Sequence, residues 1–105
     1  VMLDHVNKDK LKIKQLIKLV CENPCDLFGI KNKGYIKENY DADLTIIDMK
    51  KEVVIKDKWI ESKCGWTPFN NYKVKGFPVA TIVNGEIVME NSKIISPAKG
   101  KPLEF

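Results

Sequence analysis

The sequence contains no arginine, because all 18 of its basic residues are lysine. Arginine is the side chain that binds phosphate bidentately and reads guanine edges, so its absence disfavours a nucleic-acid interface. The lysines also alternate with acids, as in Lys50-Lys51-Glu52 and Lys56-Asp57-Lys58. We therefore interpret the formal charge of +4 as a solvated charged surface, and a small basic nucleic-acid binder remains only as an alternative.

Histidine and cysteine are scarce: the sequence contains one histidine and three cysteines. His5 lies beside Asp4, but neighbouring side chains on a helix diverge by about 100° and do not form a ready dyad. The number of cysteines is odd (Cys21, Cys25 and Cys64), and an odd number favours reduced thiols. A zinc set of His5 and the cysteines is the alternative, although structural zinc sites usually contain two short-spaced pairs. We predict buried apolar thiols and no metal ligands.

No apolar run approaches the ~20 residues that a membrane-spanning helix needs. The N-terminal residues Val1–Val6 have no basic region before an apolar stretch, so we expect no signal peptide. Together with the reduced thiols, these features predict a cytoplasmic protein with no membrane partner.

Motifs of common catalytic sites are also missing. We find neither a Gly-rich phosphate loop nor a serine elbow. Cys64-Gly65-Trp66 is similar to a reactive-thiol motif, but no second histidine exists to activate it. Asp41 and Asp43 are either a weak cation site or, in our preferred interpretation, caps that hydrogen-bond the turn before a strand.

Helical periodicity dominates before position 30. A short helix ends near Val6, and Asn7 is a candidate N-cap for the next helix. The next helix carries an apolar band of Leu11, Ile13, Leu16, Ile17, Leu19 and Val20. Pro24 fits a first helical position and Gly29 a stop, which predicts one further helical turn or two over residues 24–28. The apolar side of these helices is wide enough to require a partner surface.

Strand and turn signals dominate after position 30. Leu44–Asp48 and Glu52–Lys56 are rich in β-formers and are separated by a bend. Phe77–Val83 and Glu86–Glu90 flank Asn84-Gly85, the strongest short-range hairpin signal.

Residues 57–73 form an aromatic-rich loop between the strands. Trp66, Phe69 and Tyr72 are expected to pin it to a surface, and small-ligand binding by stacking is the alternative. The polar tail Ser96–Phe105 is expected to run over the surface.

Several stretches, taken in order, match one family pattern. They are Asn23-Pro24-Cys25 with Phe28-Gly29, Lys33-Gly34-Tyr35-Ile36, Asp41-Ala42-Asp43-Leu44, Ser62–Phe69, Val74–Val79, Thr81-Ile82-Val83 and Gly100–Phe105. Together they resemble the segment that follows the catalytic barrel in cyclic amidohydrolases. Ser62–Phe69 and Gly100–Phe105 favour the bacterial dihydroorotase group over hydantoinases and allantoinases. Asn39 and Asn71 stand where this family often has glycine, and asparagine tolerates the left-handed backbone better than most residues.

The resemblance implies a TIM-type barrel and a smaller β-domain built from both termini. It implies reversible closure of carbamoyl aspartate to dihydroorotate in pyrimidine biosynthesis, with a zinc-activated hydroxide in the hydrolytic direction. In the family the ligands are a His-x-His motif, a carboxylated lysine, two further histidines and an aspartate. All of them precede the point at which this chain begins, so we carry over no catalytic, cofactor-binding or metal-binding residue.

We therefore predict an α+β fold with N-terminal helices followed by a small antiparallel-rich sheet. Residues 1–30 would resemble the end of a barrel, and residues 31–105 the C-terminal share of a β-sandwich domain. The chain would be an inert C-terminal fragment of a dihydroorotase-like enzyme; a non-enzymatic binding or oligomerisation module is the alternative. Expected partners are a second copy, through sheet edges or apolar helix faces, or a separately encoded barrel fragment.

Overall fold

The computed structural model describes residues 1–97 and 100–105 and has an α+β fold, as predicted. The helices come first: α1 (Met2–Asn7), α2 (Ile13–Ile17), a π-helical turn (Lys18–Glu22) and α3 (Asn23–Phe28). The strands follow: β1 (Leu44–Val54), β2 (Lys73–Val83), β3 (Glu86–Glu90) and β4 (Lys93–Ile94), with a 3-10 turn at Asp57–Trp59. Residues 13–28 are helical without a break, and we call them the helical arm.

The four strands form one antiparallel sheet in the order β1-β2-β3-β4. The predicted Asn84-Gly85 hairpin is confirmed, with φ of 50° and 82° at the two turn residues. The two strands predicted on either side of a bend are instead one strand, β1. The bend is a bulge, because Met49–Lys51 lie opposite Gly76 alone in the β1–β2 register.

Helix α1 lies directly on β2 at Gly76. A Cβ atom at this position would come within 2.8 Å of Leu3 Cβ, and the backbone there has a φ of +98°. Glycine therefore serves two purposes at position 76: it allows the helix to approach, and it adopts a backbone conformation that other residues rarely take.

The predicted left-handed positions are confirmed. Gly29 ends α3 with a φ of 64°, while Asn39 and Asn71 have φ of 65° and 66°. Asn7, however, does not cap α2, so that prediction is wrong. Helix α2 begins at Ile13, where the Gln15 side chain accepts a hydrogen bond from the Lys12 backbone N–H at 2.9 Å.

Few side chains are buried among the residues that the structure describes. The buried apolar residues are Leu16, Val74 and Ala80. The helical arm exposes much of its apolar surface, at Ile13, Ile17, Leu19, Val20, Leu27 and Phe28. Apolar exposure on this scale usually marks a surface that contacts other protein.

Among the described residues, no helix is both long enough and apolar enough to cross a membrane. The polar tail lies partly outside the described residues, at positions 98 and 99. Its last part is tied to the loop after the helical arm, where the Lys31 backbone N–H donates to the Glu104 carbonyl oxygen at 2.8 Å.

Candidate functional site

The junction between α1 and the sheet is the best-defined polar site in the described chain. The Asp4 side chain is buried there, although it lies on a short surface helix. Its Oδ1 accepts a hydrogen bond from the Lys75 backbone N–H at 3.0 Å, and its Oδ2 accepts one from Lys8 Nζ at 2.6 Å. The Lys8 hydrogen bond and the Lys75 N–H hold the pKa of Asp4 below its ordinary value. Asp4 therefore anchors α1 to β2 as a carboxylate.

Asn7 makes the second part of this junction. Its Nδ2 donates to the carbonyl oxygens of Lys75 at 2.9 Å, Met49 at 3.0 Å and Leu3 at 3.3 Å. The amide thus joins α1, the β1 bulge and β2 at one point. Because Gly76 lies in β2 opposite the bulge of β1, the bulge and the glycine together create the position into which α1 fits.

A shallow cavity of about 270 Å³ opens beside this junction. Four of its five charged lining residues form ion pairs, Lys8 with Asp4 at 2.6 Å and Lys73 with Glu52 at 3.1 Å, and the fifth is Lys75. The arrangement therefore fits a role in holding elements together better than one in binding a charged ligand.

His5 and Asp4 are not hydrogen-bonded to each other in the described part of the chain. The Asp4 carboxylate is engaged by Lys8 and Lys75, while His5 Nδ1 is buried with no hydrogen-bond partner among the described residues. That the two residues form no catalytic dyad stays a prediction.

Asp41 and Asp43 hold the loop before β1 against the β2–β3 turn. Lys33 Nζ forms an ion pair with both carboxylates, at 3.0 Å from Asp41, and makes a hydrogen bond to Asp43. Asp43 Oδ1 also accepts the Asn84 backbone N–H at 2.8 Å. The Lys33 hydrogen bond and then the Asn84 N–H lower the pKa of Asp43, and the two carboxylates raise the pKa of Lys33. These side chains bind Lys33 and the distant Asn84 backbone rather than the turn before β1, so the local capping interpretation is not confirmed, and Lys33 takes the position that a cation would occupy.

The three cysteines are free, but they are not buried as predicted. Cys21 and Cys64 are exposed and Cys25 is half-buried. Cys25 packs on the backbone of Gly34, where an added Cβ would lie 2.7 Å from its Sγ. For Cys21 the prediction failed because the apolar side of the helical arm is exposed in this chain, and Cys64 lies in the exposed loop before β2.

Cys64 has a polar environment in the aromatic loop. Its Sγ lies 2.9 Å from Ser62 Oγ and 3.6 Å from the Trp66 carbonyl oxygen. The Ser62 hydrogen bond and then the backbone contacts lower the pKa of the thiol. A lowered thiol pKa favours reactivity, but neither contact supplies a general base.

The aromatic residues of this loop are less covered than expected. Trp66 is 61% exposed, while the rings of Phe69 and Tyr72 contact each other edge to face, with centroids 6.0 Å apart. Trp59 rather than Trp66 holds the loop to the sheet, through an edge-to-face contact with Phe77 at 5.9 Å.

Within residues 1–97 and 100–105, no three His, Cys, Asp or Glu side chains gather closely enough to hold a metal ion. The residues of the alternative zinc set are accordingly not brought together. That the chain needs no metal of its own stays a prediction.

Comparison with known proteins identifies the family. Residues 1–88 match the amidohydrolase family model. The chain is 42% identical over 101 residues to the dihydroorotase of Pyrococcus furiosus, and 44% identical over 101 residues to that of Pyrococcus horikoshii. Each alignment covers 96% of this chain but only 24% of the relative, so the chain spans about a quarter of the length of these curated relatives.

A solved structure has the same fold. The L-hydantoinase (dihydropyrimidinase) of Arthrobacter aurescens superposes with a TM-score of 0.86 at 34% identity, over 90% of this chain and 22% of that one. Most of this fold therefore matches one segment of a much longer protein. The chain belongs to the amidohydrolase family.

Proposed function

We propose that this chain supplies the C-terminal portion of a dihydroorotase-like amidohydrolase and is catalytically inert by itself. The observation that carries the proposal is the identity of 42–44% to two dihydroorotases, against 34% to the L-hydantoinase. The reaction of the whole enzyme would be the interconversion of carbamoyl aspartate and dihydroorotate.

The exposed face of the helical arm supports a role as part of a larger molecule. Leu27 is 78% exposed and Phe28 64% exposed, although both lie in a regular helix. Burying a side chain of this kind stabilises a protein by about 1.5–3 kcal/mol, so a partner surface over this face would contribute substantially. We propose that residues 1–30 pack against that partner surface, while residues 31–105 form the small β-domain.

The side chains of the described residues do not fit a catalytic metal. Asp41 and Asp43 are engaged by Lys33, Asp4 is engaged by Lys8 and Lys75, and the cysteines do not cluster with His5. In our proposal the zinc of related enzymes takes its ligands from outside the described residues. The role of this chain would be to support the structure that carries them.

A chimera tests the proposal. The matching 101 residues of the Pyrococcus furiosus dihydroorotase would be replaced by this chain, and turnover of dihydroorotate and of hydantoin would be measured. We expect dihydroorotate turnover within about tenfold of the intact enzyme. The isolated chain, supplied with zinc, should show no turnover and no tightly bound zinc.

The same exchange carrying Gly76→Val is the matched control. Because valine cannot fit beneath α1, this chimera should lose stability and activity together. A folded chimera that does not turn over dihydroorotate would contradict the proposal. Turnover by the isolated chain would refute inertness.

A further inference from the structure

We draw no further inference here: the strongest candidate, the apolar groove lined by Trp59, Phe77, Pro78, Met89 and Ile94 beside the sheet, carries nothing because nothing in the structure shows what covers it.

Discussion

Gly76 and Leu3 lie so close that a Cβ on the glycine would come within 2.8 Å of the leucine Cβ. Gly76→Ala should therefore destabilise the chain by about 2–4 kcal/mol, from the unfavourable positive φ and from overpacking of α1 against β2. Urea unfolding measures the effect.

Gly65→Ala is the matched control for this substitution. Gly65 also has a positive φ, of +66°, but a Cβ there would meet nothing within 4 Å. It should cost about 1 kcal/mol, which is the backbone penalty alone. Equal losses at the two glycines would show that α1 does not press on β2.

The amide of Asn7 should be as important to this junction as the glycine. Asn7→Ala removes the donor to Met49 and Lys75, and leaving these carbonyl oxygens unpaired should cost about 1–2 kcal/mol in urea unfolding. Asn7→Asp keeps the shape but replaces the donor with a negative charge facing two carbonyl oxygens, so it should cost more than alanine. An aspartate variant as stable as the wild type would contradict the hydrogen bonds.

Asn7 also shows what could not be predicted from the sequence. Its partners Met49 and Lys75 are 42 and 68 residues away, so no local pattern reveals them, and an asparagine after a short helix has the appearance of an N-cap. The turns at Gly29, Asn39 and Asn84-Gly85 were predictable, because a positive φ is a local demand that few residues meet.

The exposure of the cysteines was unpredictable for a different reason. Cys21 lies on a helix whose apolar pattern is typical of a buried surface, and periodicity says that a face is apolar without saying what covers it. The family could be recognised from the sequence, because its motifs lie in turns and at the starts of strands, where the residues are locally constrained.

The Asp4 carboxylate should make the chain sensitive to acid. Its pKa is held below 3.8 by the Lys8 hydrogen bond and the Lys75 N–H. A carboxyl whose pKa is lower in the folded state stabilises above its unfolded pKa, and this stability is lost as the pH falls through the folded value. As the pH falls below about 4, the free energy of unfolding should therefore decrease. Asp4→Asn should make this decrease smaller.

Asp9→Asn is the matched control for Asp4→Asn. It makes the same charge change at an exposed residue just after α1. At acid pH the free energy of unfolding should decrease more steeply in Asp9→Asn than in Asp4→Asn. If the two variants have the same profile, the buried carboxylate is not the source of the acid sensitivity.

Tyr35 should report on the contact between the helical arm and the following loop. Its hydroxyl donates to Asp26 Oδ2 on α3 at 2.7 Å, and this hydrogen bond is the main reason that the pKa of Tyr35 is raised from 10.0 to about 12. A tyrosine with a raised folded pKa stabilises fully below its unfolded pKa and loses that contribution as the pH rises through the folded value. Ultraviolet titration should therefore show a tyrosinate component near pH 12 that Tyr35→Phe removes. Asp26→Asn should move this component towards pH 10, and an unchanged titration in that variant would show that α3 and the loop are not joined through this pair.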